Sequence, residues 1–266
     1  MSPGPSRGML KAILWDVDGT LAETERDAHR VAFNAAFESF GLRWRWDEAR
    51  YGELLRVTGG RERILHDMAG HADAPALAGE REQLARELHA RKNQLYARLL
   101  QSEGIALRPG VAALIDEAGR AGVRQAIVTT TSRVNVDALL RLHLGPAWRD
   151  RFAAVVCGED VRAKKPHPEA YERCLALLSI GPLEAVAIED SPGGVAAARA
   201  ASVPVVVPRS KYFAEATIEG AIAIGPGLHT RLGWQPRCAG PQDDAPVSLD
   251  DLRAWCAQME SVSQFS

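Results

Sequence analysis

The stretch ILWDVDGTLAETE, residues Ile13–Glu25, decides how this chain is read. An apolar run stops abruptly at Asp16, a second acid follows at Asp18, and a Gly-Thr turn comes at once. On extended backbone, side chains at i and i+2 share a side, so both carboxylates point the same way. Such a pair repels and resists desolvation unless a cation lies beside it. The competing account is local: an Asx-turn or a helix cap also uses Asp in such a place.

Outward from this stretch, Leu10–Trp15 reads as a short buried strand. From Thr24 to about Gln101 apolar positions recur three and four apart, including the run Leu77–Gln101, with no strand signal; this is a helical block. After LRPG, Leu107–Gly110, the pattern alternates: helix from Val111, strand VRQAIV ending at Val128, helix from about Asn135, strand AAVVC ending at Cys157. It continues with helix Pro168–Leu178, strand AVAI ending at Ile188, helix Gly193–Ala201 and strand VPVVV ending at Val207. A short strand near Ala221–Ile224 and a helix near Leu249–Ala257 close the pattern, and the turn-rich stretch between them has no assignment. Helices alternating with short apolar strands predict an α/β fold: a Rossmann-like parallel sheet covered on both faces, with an inserted helical domain. The expected partition is a tail at 1–8, a discontinuous core at 9–22 and 106–257, a helical insert at 23–105 and a tail at 258–266. That arrangement leaves a cleft outside the carboxyl ends of the strands.

Composition narrows the class of partner. The 266 residues carry a formal net charge of -2 with interspersed signs, so no nucleic-acid-binding surface is expected. Cys157, Cys174, Cys238 and Cys256 lie far apart with no CxxC pair, which fits neither a zinc site nor a disulfide scaffold and favours a reducing compartment. The opening MSPGPSRG is not a signal sequence, and no apolar run approaches the roughly 18 residues of a membrane span. A cytoplasmic protein with a small-molecule partner, no membrane and no obligate protein partner is the expectation.

Three further strand ends carry chemistry. Glu189 and Asp190, in IEDSPGG, would complete with Asp16 the oxygen-rich cluster that suits Mg²⁺, a hard cation that also takes phosphate oxygens. Thr129, in IVTTTS, offers a hydroxyl, and the turn through Thr130 offers N–H donors for an anion. Lys165, in AKKPHP, is a point charge able to face both the acids and a phosphoryl group. Each has an ordinary alternative: Glu189 and Asp190 could cap the helix at SPGG, and Lys164 and Lys165 could be solvated. Their order at successive strand ends favours the joint reading.

The ordered set DVDGT, Thr129, Lys165-Pro166 and EDS resembles the haloacid dehalogenase superfamily of aspartate phosphohydrolases over nearly the whole chain. The helical insert after strand one resembles that superfamily's first type of cap, in the β-phosphoglucomutase-like branch. Within it, DVDGTLAETERDAHRVAFNAAFESFGL, TGGRERI and TTTSRVNVDALL are most similar to CbbY proteins, xylulose-1,5-bisphosphate phosphatases of organisms that fix carbon through Rubisco. The resemblance implies that Asp16 is the nucleophile, that Asp18 is the general acid and base, and that Thr129 and Lys165 complete the phosphate cradle. It also implies Mg²⁺ on the Asp16 carboxylate, the Asp18 backbone carbonyl and Asp190, with Glu189 as ligand or outer partner.

The cap is expected to select the substrate, a small phosphorylated sugar. Gly59 and Gly60 permit close backbone approach, and Arg61 and Arg63 could clamp a second phosphate. CbbY sequences usually carry Lys at the Arg61 position, which keeps the charge and changes its geometry. Glu25, His29 and Tyr51 match family positions near the substrate; Arg133 and Asn135 are candidates at the cleft rim. Trp44 and Trp46 are expected to pack the cap. A phosphosugar mutase on the same core, and a non-catalytic phosphosugar-binding protein, are the competing readings.

Overall fold

The computed structural model describes residues 10–263, so the tail read at 1–8 lies outside the described residues. Six parallel strands form one sheet in the order β3-β2-β1-β4-β5-β6. They are β1 (Ala12–Trp15), β2 (Arg124–Val128), β3 (Ala154–Val156), β4 (Ala185–Ile188), β5 (Val205–Pro208) and β6 (Ala223–Gly225). The strand residues are apolar in both parities because both faces are covered. Ile13, Trp15, Ile127, Val186, Ile188 and Val206 face one way, and Ala12, Leu14, Ala126, Val128, Ala187, Val205 and Val207 the other.

Following the helical block described below, helices α5 (Val111–Arg120), α6 (Arg133–Leu144) and α9 (Leu249–Ser263) cover the first face, and α7 (Glu169–Leu178) and α8 (Pro192–Ala200) the second. Helix α9 runs beyond Ala257, so the final tail is shorter than the sequence pattern indicated. The unassigned segment before it is also part of the core. Trp234 stacks on Trp255 with ring centroids 4.8 Å apart, and its indole N–H donates to the Thr230 carbonyl at 3.0 Å. Buried Asp251 accepts from the Ser248 and Ala239 backbone N–H groups, which ties the irregular stretch to α9. Side chain–backbone bonds of this kind leave no helical or strand periodicity to read.

Between β1 and α5 the chain forms the helical block. A π-helical turn at Glu25–His29 leads into α1 (Arg30–Ser39), then α2 (Glu48–Leu54), α3 (Gly60–Met68) and the long α4 (Ala78–Glu103). Their apolar stripes converge on a separate cluster of Phe33, Phe37, Trp44, Trp46, Tyr51, Leu54, Ile64, Met68, Ala85 and Leu88. Trp44 and Trp46 are both buried there, and their indole N–H groups donate to Asp73 at 2.7 Å and Asp67 at 2.6 Å. The outgoing and returning connections touch through a bridge between Ala22 and Leu107. The block therefore stands over the carboxyl end of β1.

Candidate active site

Strand β1 lies between β2 and β4, and the register pairs Trp15 with both Ile127 and Ile188. The residues that leave these strands are consequently neighbours, which brings Asp16, Thr129, Glu189 and Asp190 to one place. All four are buried, as is Lys165. The Lys165 ammonium donates to Asp16 Oδ1 at 2.8 Å, to Glu189 Oε1 at 2.5 Å and to the Val128 carbonyl at 2.7 Å. Tyr171, on α7, donates its hydroxyl to the same Glu189 oxygen at 2.5 Å. The capping alternatives fall away: Ser191 caps α8 by accepting from Gly194 N–H at 3.0 Å, with Pro192 at the first helical position.

One carboxylate oxygen from each of Asp16, Glu189 and Asp190 lies within 4.8 Å of the others. Burial, then the negative charge of Glu189, raises the Asp16 pKa to about 7 against the pull of Lys165. Asp190 is raised well above the usual range by burial and then by Asp16, with the Ser210 hydroxyl and the Arg108 guanidinium opposing. Glu189 Oε2 is buried and has no hydrogen-bond partner. A cluster so short of positive charge, with an orphaned oxygen, fits a hard divalent cation. The room for these acids depends on glycine: a Cβ on Gly19, whose φ is +88°, would stand 2.0 Å from Asp190 Oδ2.

Asp18 belongs to a different environment. Its Oδ1 accepts from the Thr24 hydroxyl at 2.6 Å and from His29 Nε2 at 2.8 Å. His29 Nδ1 in turn faces the Lys92 ammonium at 2.5 Å, which assigns the imidazole proton to Nε2. The ring stacks on Tyr96 at 4.3 Å. Burial alone would raise the Asp18 pKa, but His29 and then Thr24 and Lys92 lower it well below the usual carboxylate range. Burial also lowers the Lys92 pKa to about 7. The two acids of DVDGT are thus pushed in opposite directions.

Two cavities meet over these residues, sharing Asp18, Glu25, Arg63 and Thr130. The inner one, of about 230 Å³, reaches Asp16, Thr129, Lys165, Asp190 and Gly194. The outer one, of about 500 Å³, runs past His29, Gly59, Gly60 and Arg61 to Arg86, His89, Arg162 and Lys164. Gly59 has φ +96° and its Cα lies against Glu62 and Lys164, which are themselves paired at 2.8 Å across the cleft.

Not every sequence candidate faces these cavities. Tyr51 is fully buried behind the wall: its hydroxyl donates to Glu25 and accepts from Arg63 Nη1 at 2.7 Å. Arg63 is further held by the Leu54 carbonyl at 3.1 Å, whereas Arg61 has a side chain 43% exposed. Arg133 turns away to pair with Asp160, and buried Asn135 donates to Asn93 Oδ1 at 3.0 Å, joining α6 to α4. Neither lines the cavities: α6 begins two residues earlier than the sequence suggested, at Arg133, and Asn135 lies on its packed face. Missed from sequence were Thr24, Lys92, Tyr171 and Arg108. Lys92 had a signal: it sits in the stripe Ala85, Leu88, Lys92, Tyr96, Leu100, where a lysine needs a partner.

A family model for haloacid dehalogenase-like hydrolases matches residues 10–202. CbbY of Cupriavidus necator is 42% identical over 92% of this chain and 96% of that protein. CbbY of Rhodobacter capsulatus is 45% identical over 76% of this chain and 87% of its own length. A crystal structure of Rhodobacter sphaeroides CbbY in complex with xylulose-1,5-bisphosphate superposes with a TM-score of 0.77 at 41% identity, covering 82% of this chain and 95% of that one. The chain belongs to the haloacid dehalogenase-like hydrolase family. It is a phosphoric monoester hydrolase similar to the CbbY proteins. Among the described residues no helix is long and apolar enough to cross a membrane.

Proposed function

We propose that the protein is a Mg²⁺-dependent phosphatase that removes the 1-phosphate of xylulose-1,5-bisphosphate through an aspartyl-phosphate, in support of Rubisco. The observation that carries this reading is the meeting, over Asp18, of an inner cavity that holds Asp16, Thr129 and Lys165 with an outer one that carries Arg61, Arg86, Arg162 and Lys164. Asp16 attacks phosphorus, and Lys165 and Thr129 hold the phosphoryl oxygens. Asp18 takes a proton when the phosphate dianion raises its low pKa, gives it to the departing alkoxide, and later removes one from the attacking water. Asp16, the Asp18 carbonyl and Asp190 would hold Mg²⁺; with Glu189 Oε1 occupied by Lys165 and Tyr171, Glu189 serves as an outer partner through Oε2. The ion supplies charge stabilisation for phosphoryl transfer and keeps Asp16 ionised.

In this reading 23–105 is a cap domain on a discontinuous core at 9–22 and 106–257. Glu25 and Arg63 face the sugar, and Arg61 grips the distal phosphate. The same proposal puts the enzyme in the cytoplasm, since Cys157, Cys174 and Cys238 are free thiols. A panel of phosphorylated sugars, assayed for released phosphate and for isomer formation with and without chelator, tests it. Phosphate release from xylulose-1,5-bisphosphate that stops in chelator is expected. Isomer formation would favour the mutase, and undiminished turnover with metal verified absent would remove the cation from the mechanism.

A further inference from the structure

We propose that Arg108, on the connection returning from the helical block, is a positioning residue that holds the Asp18 loop in register with the metal-binding carboxylates. Its guanidinium lies where four pieces of chain meet. Nη1 donates to the Gly19 carbonyl and, at 3.0 Å, to the Pro208 carbonyl; Nη2 donates to the Arg209 carbonyl; Nε lies 3.4 Å from Glu23 Oε1. Its own backbone N–H donates to the Leu21 carbonyl at 2.7 Å. One side chain, 11% exposed, thus ties the outgoing connection, the loop after β1 and the loop after β5 to the returning connection.

The consequence follows from Gly19. This residue separates Asp18 from the turn, its N–H is fixed on the Ala22 carbonyl at 2.8 Å, and its Cα stands against the Asp190 carboxylate. With Arg108 on its carbonyl, the 19–20 peptide cannot rotate without moving Asp18 relative to Asp16 and Asp190. Only the planar five-donor fork of arginine reaches carbonyls from two loops and a carboxylate together; an ammonium is a point charge. Arg108 also lines an open groove of about 930 Å³ between the two connections, so a small solute can reach its place.

The inference rests on the reading of Asp18 as general acid, and the test exploits that dependence. An alkyl sugar phosphate needs a proton on its leaving group; 4-nitrophenyl phosphate does not. For Arg108→Ala we expect kcat/KM, which reports steps up to formation of the aspartyl-phosphate, to fall on the order of 10²-fold on the sugar phosphate, the cost of a small misplacement of a catalytic group, and much less on the aryl ester, while kcat falls on both because the attack of water also uses Asp18. Millimolar guanidinium chloride, against sodium chloride as control, should restore much of the alkyl activity, and Arg108→Lys should not replace it. If circular dichroism shows Arg108→Ala unfolded, the ratio of alkyl to aryl losses is read in Arg108→Lys. Equal losses of kcat/KM on both esters without rescue, or unchanged kcat/KM on the sugar phosphate, overturn the inference while the phosphatase reading stands. Wild-type protein that cleaves neither ester overturns both.

Discussion

At the scale of single residues, the sharpest expectation separates two arginines two positions apart. Arg61 is half exposed and its one ion pair, with Glu62 at 3.6 Å, is loose, so Arg61→Ala should cost on the order of 2 kcal/mol in kcat/KM for the bisphosphate and little for an aryl monophosphate. Arg63→Ala should lower both, because it strips a partner from Tyr51 behind the wall and from Glu25 in it. Steady-state kinetics with the two substrates checks the contrast, and a matching selective loss at Arg63 would reverse the assignment. Asp16→Asn should abolish turnover while leaving the unfolding transition in place, since an amide keeps the shape and loses the nucleophile. Near-normal activity in that variant would exclude the covalent route. The meeting of the acids and Thr129 was legible because they stand at strand ends, where a parallel sheet must gather them, whereas Lys165 reaches them from the loop between β3 and α7. Arg108 was not, since its role depends on carbonyls such as Gly19 and Arg209, about 90 and 100 residues away in the chain and unmarked in sequence.

At the scale of elements, α2 and α3 are joined by Asp67, which is buried and accepts from Trp46, Arg50 and His71. Burial opposes its ionisation, but those three donors win and lower its pKa. Its stabilising contribution is therefore complete above the unfolded value near 4 and disappears as pH falls through the lower folded value. Asp67→Asn should cost about 2 kcal/mol at neutral pH. The gap between variant and wild type should close in acid, measured as urea midpoints across a pH series; a gap independent of pH would mean that packing rather than charge is lost. The helices of this region were legible as apolar periodicity, but their mutual docking was not. Nothing local to Trp46 announces Asp67, and the lysine on the α4 stripe makes sense only once His29 is placed beside it. The segment before α9 stayed unread for the opposite reason: its order comes from Trp234, Asp251 and backbone groups rather than from any repeat.

At the scale of the whole molecule, the helical block meets the core across the outer cavity through Glu62 and Lys164, side chains 33% and 24% exposed. An ion pair so placed contributes modestly and is screened by salt. Lys164→Met should raise KM roughly threefold at low ionic strength and flatten its rise with added salt; a salt response equal to that of wild type would show that the pair does not govern closure. The position of β1 has a different kind of consequence. Being paired on both sides and sealed on both faces, it cannot fray as an edge strand can. The Asp16 amide is donated to the Ile188 carbonyl at 3.0 Å and shares that protection. In deuterated buffer, the amides of Ile13–Asp16 should exchange only when the entire core opens, while those of the cap exchange sooner. The Asp16 carboxylate would then be the last part of the cluster to be lost on heating, and a protein whose helical block has already loosened would still carry it in place on cooling.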